Sequence, residues 1–578
     1  MNTAAENRLW SKIIADELAK NGVRTICICP GSRNTPLTLA FHDHPEISVS
    51  SLLDERSAGF FVLGKSINSG RVVPVVSTSG TATAEFHPAV MEADRAGVPM
   101  MVLTADRPPD LRESGANQTV DQTELYGSAL RHQRSFPLPT LEPRTLRWVR
   151  VNICRAIDAV LDPQPGPAHI NLPFQKPLEP DKRTSETIRT FSTRHPVETN
   201  GRDGPFVKIS DSTKILSPKR SRKLRNQITQ TDRGWIVAGP QPGYRRNAQN
   251  LIKFSKQSGF LLLADPLSGT RFHQDIQKDF VLTGYDGFLA NSSLPDPPEL
   301  ILRTGANPTA SKSLTQYLGN VDTQQILINP DGDWSEDHFK ADQMIQTSID
   351  QLIPILDSED NPTLDQDWHR KWLKRDQNWW ERVKQTQPHQ LFEGEVLRIA
   401  LECLPDGSHC FVSNSQPIRD LNQFVPGMEK MIVAHANRGC SGIDGIVSSA
   451  IGVASNTEAP LLAIVGDLAF YHDSNGLLAL QRLGINANFL VINNDGGGIF
   501  HRLPVKDFEP AFTNTIKTPH GLDFQHLAQQ YGCEYGSPKN SAELEKQLRD
   551  KITTEEPAII EIKTDAEWNQ QFRESFQP

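Results

Sequence analysis

The sequence predicts an α/β protein of three doubly wound parallel-sheet domains. Three observations carry that expectation. Short β-branched runs alternate with helix-periodic stretches through the first third of the chain. The same rhythm returns in the last third, and a shorter alternating segment stands between two polar stretches. Strands joined by helical crossovers form parallel sheets covered on both faces. A length of 578 residues suits three or four domains at ~150 residues each.

The first domain is expected over residues 1–180. Leu9, Trp10, Ile13, Ile14 and Leu18 recur at helical spacing, and Asn21-Gly22 ends the run. Val23–Cys29, Val72–Val76 and Met100–Thr104 read as strands. They lead into Pro30-Gly31, Ser79-Gly80-Thr81 and Ala105-Asp106-Arg107-Pro108. Those turns lie at strand carboxyl ends, where such sheets bind ligands. Residues 181–233 are polar and read as a linker; the basic run from Lys219 to Lys223 is a solvated helix face or linker before it is a nucleic-acid patch. The central domain, 234–356, has strand signals at Trp235–Ala238, Phe260–Ala264, Leu300–Arg303 and Gln325–Asn329, with no GxGxxG to support a dinucleotide site. Residues 357–390 form a tryptophan-rich helical linker, with Trp368, Trp372 and Trp379 on one packing face. The last domain, 391–578, has strands at Phe411–Ser413, Leu461–Val465, Phe489–Asn493 and Ala558–Ile562.

Composition narrows the function. A net charge of −9 argues against a general nucleic-acid binder. With 37% hydrophobic and 22% charged residues the chain reads as soluble and globular. Seven cysteines without a CxxC pair suit a reducing, cytoplasmic setting better than a disulfide or zinc scaffold. No signal peptide is read at the N-terminus, and no apolar run reaches the ~20 residues of a membrane span.

The strongest chemical signal is Gly466-Asp467, with Asn494 27 residues beyond the Asp in Asn493-Asn494-Asp495-Gly496-Gly497-Gly498. Each half ends an apolar strand. Oxygen ligands on neighbouring strand ends suit a hard divalent cation, and glycines admit close backbone approach. Both halves are also ordinary turn formers, and spacing alone leaves the two readings standing. Glu55, in Leu52-Leu53-Asp54-Glu55-Arg56, sits at a strand-to-helix junction, where an acid commonly serves only the helix N-terminus. His42-Asp43-His44 reads as a polar loop; His435 and His472 stand near motifs where a ligand could be contacted, and for His472, after Phe470-Tyr471 at a helix start, packing is the default reading.

The Gly-Asp to Asn-Asn spacing resembles the cofactor motif of the thiamine diphosphate (thiamine pyrophosphate) enzymes. By that resemblance Asp467, Asn494 and the Gly496 carbonyl bind Mg²⁺ or Mn²⁺ holding the diphosphate, and Gly466 belongs to the same cofactor turn. Glu55 matches the catalytic acid that hydrogen-bonds N1′ of the aminopyrimidine and favours its imino tautomer. The resemblance implies thiamine diphosphate-binding folds, a pyrimidine-binding first domain and a diphosphate-binding last domain.

Further stretches narrow the family: Pro30-Gly31-Ser32-Arg33-Asn34, Thr104-Ala105-Asp106-Arg107-Pro108, Ala116-Asn117-Gln118-Thr119, Ser413-Asn414-Ser415-Gln416-Pro417-Ile418-Arg419 and Asn437-Arg438-Gly439 through Ile443. Together, along nearly the whole chain, they resemble the 2-succinyl-5-enolpyruvyl-6-hydroxy-3-cyclohexene-1-carboxylate synthases of menaquinone and phylloquinone synthesis. The resemblance implies a carboligating transferase. It decarboxylates 2-oxoglutarate, adds the succinyl carbanion equivalent 1,4 to isochorismate, and releases CO₂ and the named product. Ser415, Arg419 and Arg438 then hold the succinyl carboxylate, with Ser415 also near the cofactor. Ser32, Arg33, Arg107, Asn117, Gln118 and Lys312 face isochorismate, and Ile443 supports the bent cofactor. Arginine suits this work, because its planar fork pairs with carboxylates at two points. One departure is Lys312-Ser313, where some relatives carry Lys-Arg. The resemblance also implies a homodimer at minimum and a homotetramer; no nucleic acid and no membrane span are expected, on the charge and hydropathy given above. Two other readings stay open: another thiamine diphosphate-dependent 2-oxo acid decarboxylase or acetolactate synthase, and a non-catalytic anion-binding regulator of the same fold.

Overall fold

A computed structural model of the chain describes residues 2–210, 214–276, 278–291, 293–356, 364–554 and 556–576. Residues 211–213 of the polar linker and 357–363, where the tryptophan-rich segment begins, lie outside them. Among the described residues, eighteen strands form three six-stranded sheets, and every pairing between them is parallel.

The first sheet contains β1 (Thr25–Ile28), β2 (Ser48–Ser51), β3 (Val73–Ser77), β4 (Met100–Asp106), β5 (His132–Ser135) and β6 (Pro167–Pro173), in the order β2-β1-β3-β4-β6-β5. The second contains β7 (Gly234–Ala238), β8 (Leu261–Ala264), β9 (Val281–Leu282), β10 (Leu300–Thr304), β11 (Gln324–Ile328) and β12 (Gln343–Ile345), in the order β12-β11-β10-β7-β8-β9. The third contains β13 (Ser408–Val412), β14 (Ile432–His435), β15 (Leu461–Gly466), β16 (Asn488–Asn493), β17 (Glu534–Gly536) and β18 (Ala558–Lys563), in the order β14-β13-β15-β16-β18-β17. Central strands such as β3 and β4 are buried along their whole length, which explains their unbroken apolar runs.

The chain forms two compact units. The first is made of residues 1–211, 437–456 and 473–485, the second of 212–436, 457–472 and 486–578. In the first unit, the helix Glu55–Ser69 starts on an Asp54 cap, whose carboxylate accepts the Ser57 N–H at 2.9 Å, and stops at the left-handed Gly70. It packs on the helix Ile446–Ala454 with two glycines at the crossing. A Cβ on Gly64 would run into the Ser449 carbonyl, and one on Gly452 into the Phe61 carbonyl.

In the second unit, the helix Pro218–Thr229 buries Leu224 and Ile228 in the core beside β7, β8 and β10 while Lys219, Arg220, Arg222 and Lys223 are exposed. The helix Gln366–Gln385 buries Trp368, Trp372 and Trp379, and Trp372 meets Trp235 of β7 edge-on at 4.8 Å. The pairing of β15 with β16 sets Gly466 opposite Ile492. That register brings Asp467 and the Asn493-Asn494 turn out at adjacent carboxyl ends.

Candidate active site

In the first unit, the turns after β1, β3 and β4 meet. The Arg33 N–H donates to the Thr78 hydroxyl at 3.3 Å, and the Arg33 guanidinium donates to the Phe174 carbonyl at 2.7 Å. A Cβ on Gly31 would collide with Thr78, so this turn requires glycine. Ser79 is the hub. Its hydroxyl accepts from Arg107 at 2.7 Å, its carbonyl accepts from the Gln118 side chain at 2.8 Å, and the hydroxyl donates to the Gln118 carbonyl at 3.2 Å. Gln118 has φ of 57°, a strained value of the kind concentrated at working sites. Arg33 is buried, and both burial and the like charge of Arg107 lower its pKa. Two guanidinium groups are therefore held together against their mutual repulsion, beside the buried carboxylate of Asp106. Ser32 and Asn117 stand exposed on the same turns.

Glu55 occupies the equivalent place after β2 and opens its helix half-buried. Burial raises its carboxyl pKa, with the neighbouring charges of Asp54 and Glu85 adding to the effect. The loop 437–445 is fixed by a buried acid: Glu92 accepts the Gly439 and Cys440 N–H groups, each at 2.6 Å. Arg438 and Ile443 stand half-buried on this loop.

In the second unit, Ser415 precedes the helix Gln416–Phe424 with φ of 72°. The Arg419 guanidinium, one turn on, donates to its carbonyl. Lys312 is exposed at the start of the helix Lys312–Asn320. Asp467 is 2% exposed. One of its oxygens accepts the Leu468 N–H at 2.7 Å; the other accepts the Gly496 N–H at 2.9 Å and the His520 ring at 3.1 Å. His520 Nδ1 accepts the Leu522 N–H at 2.9 Å, so the proton sits on Nε2 and points at Asp467. Burial raises the Asp467 pKa.

Asn494 donates its amide N–H to Glu393 at 2.9 Å, while its Oδ1 is buried and accepts no hydrogen bond. Gly496 has φ of 121°, and a Cβ there would meet the Lys517 carbonyl. Among the described residues no group of three or more His, Cys, Asp or Glu side chains could hold a metal. The expected ligand set is different in kind: one carboxylate, one amide oxygen and one backbone carbonyl. The orphaned Asn494 oxygen fits a hard cation of that all-oxygen chemistry.

Sequence reasoning missed His520, Glu393 and Arg573. Arg573 pairs with Asp420 at 2.8 and 2.6 Å and also with Glu393. His435, placed by sequence near a motif, is fully buried in β14, stacked on His409 with ring nitrogens 2.9 Å apart.

Two family models match the chain. The N-terminal TPP binding domain of thiamine pyrophosphate enzymes matches residues 10–125, and the C-terminal TPP binding domain matches residues 421–562. With three parallel α/β sheets, these matches define a thiamine diphosphate-binding fold. Curated relatives carry the comparison over nearly the whole length. The 2-succinyl-5-enolpyruvyl-6-hydroxy-3-cyclohexene-1-carboxylate synthase of Halobacterium salinarum is 43% identical over 577 residues, covering 99% of this chain and 98% of its own. Those of Haloarcula marismortui and Roseiflexus castenholzii are 42% and 40% identical, covering 97% of this chain and 95% and 96% of their own. The chain belongs to the 2-succinyl-5-enolpyruvyl-6-hydroxy-3-cyclohexene-1-carboxylate synthase family.

Proposed function

We propose that the protein is a carboligating transferase of menaquinone or phylloquinone synthesis. It joins the four-carbon unit of 2-oxoglutarate to isochorismate with loss of CO₂, giving 2-succinyl-5-enolpyruvyl-6-hydroxy-3-cyclohexene-1-carboxylate. The observation that carries this reading is near-full-length identity to the synthases, in a chain that keeps Glu55, Asp467 and Asn494 at strand carboxyl ends. We further propose a division into a pyrimidine-binding domain (1–180), a central domain (234–356) and a diphosphate-binding domain (391–578). A homodimer is the minimum assembly and a homotetramer the expected one, in the cytoplasm.

Thiamine diphosphate, when bound, supplies an electron sink for decarboxylation and carbon–carbon bond formation. Asp467, Asn494 and the Gly496 carbonyl hold the Mg²⁺ or Mn²⁺ ion, with Gly466 clearing space at the strand end. Glu55 holds a proton at N1′ of the aminopyrimidine; a carboxyl whose pKa is raised by burial keeps that proton more readily than an exposed one. Ile443 orients the cofactor. Ser415, Arg419 and Arg438 bind the distal carboxylate of 2-oxoglutarate. Ser32, Arg33, Arg107, Asn117, Gln118 and Lys312 orient isochorismate. The arginines work by fixing two anions against their repulsion.

Mixing 2-oxoglutarate, isochorismate, thiamine diphosphate and Mg²⁺ with the protein should yield the named product by mass spectrometry, with CO₂ release. Faster CO₂ release from pyruvate than from 2-oxoglutarate would sink the substrate assignment.

A further inference from the structure

We infer that Glu393 is a positioning residue that sets which edge of the Asn494 amide is offered to the metal. The inference rests on the metal-holding role proposed above for Asn494. Glu393 is 2% exposed and opens the helix Glu393–Cys403. One of its oxygens accepts from Asn494 Nδ2 at 2.9 Å and from the Thr564 hydroxyl at 2.8 Å. The other accepts from the Arg573 guanidinium. Arg573 is in turn fixed on the fully buried Asp420, and the Glu393 N–H donates to Asn569 at 2.8 Å.

A carboxylate accepts hydrogen bonds and cannot donate them, whereas an amide presents an NH₂ edge and an oxygen edge of nearly the same shape. With Glu393 in place, only the NH₂ edge can face it. Planarity then turns Oδ1 the opposite way, where it lies buried without a hydrogen-bond partner. That bare oxygen is the atom a hard cation requires. A neutral partner at position 393 would let the amide turn over and present nitrogen. Arg573 and Asp420 anchor the carboxylate that performs the selection. Groups that hydrogen-bond a metal's ligands commonly work in this way, orienting the ligands themselves.

The test is calorimetric titration of Mg²⁺ into protein mixed with thiamine diphosphate, which reads binding rather than turnover. Glu393→Gln should weaken metal-dependent binding about 10- to 100-fold. Asn494→Asp alone should also weaken it, since two carboxylates then face each other. The double variant Glu393→Gln with Asn494→Asp restores a donor facing an acceptor, so it should recover most of the loss and the two effects should fail to add. A merely structural role for Glu393 predicts no such rescue. If Glu393→Gln does not fold, Glu393→Asp replaces it: it keeps the charge beside Arg573 but falls a methylene short of Asn494, and it should show the same weakening. Wild-type affinity in either single variant at position 393, or purely additive losses in the double variant, overturns the inference alone. An absence of metal-dependent binding in the wild-type chain overturns the metal-holding role itself and the inference with it.

Discussion

The Asp467 carboxylate accepts the backbone N–H of Gly496 at 2.9 Å, closing a loop of 29 residues between the ends of β15 and β16. This one bond makes two distant parts of the chain into a single feature. The acid that ends one strand holds the turn that ends the next, and the peptide carrying the Gly496 carbonyl is held in its turn by the Gly497 N–H, which donates to the Lys517 carbonyl at 2.7 Å.

Gly496 has no freedom to change. At φ of 121° an L-residue is strained by about 1–3 kcal/mol, and a Cβ would also press on Lys517. Gly496→Ala should lower the melting temperature by several degrees and sharply weaken Mg²⁺-dependent binding of thiamine diphosphate. Unaltered calorimetric titrations would count against a role for this turn.

Arg107 is fixed on Ser79 beside the buried Arg33. Its removal should leave a substrate carboxylate without a partner, at a cost of about 2–5 kcal/mol in kcat/KM for isochorismate. Decarboxylation of 2-oxoglutarate alone, followed with an artificial electron acceptor, should survive in Arg107→Ala. Equal loss of both activities would place Arg107 elsewhere in the reaction.

Asp473 accepts from the Ser448 N–H and hydroxyl and from the Ser57 hydroxyl, and burial pushes its pKa up to about 6. Between its unfolded value near 4 and this folded value, the native chain keeps a proton that the unfolded chain has released. Stability from this group is therefore present at low pH and is lost as pH rises towards 6, by up to about 3 kcal/mol at ~1.4 kcal/mol per unit. Melts of wild type and Asp473→Asn at pH 4 and pH 7 should show the difference shifting in the variant's favour at the higher pH. A gap independent of pH would refute the assignment.

Arg573 is the cation between two buried acids, Asp420 and Glu393. Breaking such a cluster by deleting one member costs about 3–5 kcal/mol, because the remaining charges stay buried. Arg573→Met should shift the urea midpoint accordingly. A midpoint unchanged within error would show that the acids are protonated or solvated.

The sheets were legible in β3, β4, β15 and β16, whose sequences are nearly continuous apolar runs; β6 is as fully buried, but His169 and Asn171 interrupt its apolar pattern and it was not read. Edge strands such as β5 (His132–Ser135) and β17 (Glu534–Gly536) were not, since a half-solvated edge needs no such run. The helix Pro218–Thr229 lay hidden in a polar stretch because only Leu224 and Ile228, one turn apart, reach the core. Asp467 and Asn494 were visible because each follows its strand directly. Glu393 and Arg573 were not: they meet across 180 residues, and no local pattern announces such a meeting. His520, 53 residues beyond Asp467, gave no signal either.

The glycine seam between Glu55–Ser69 and Ile446–Ala454 also bears on how the gene can be cut. A truncated product ending near residue 211 would lack 437–456 and 473–485, both parts of its own compact unit. Phe60 and Phe61 would lose the helix that lies against theirs, and Asp54 and Ser57 would lose Asn475 and Asp473. Such a fragment should be recovered as aggregate. The helix Glu55–Ser69 therefore completes its packing during synthesis only after the ribosome has delivered residues past position 454.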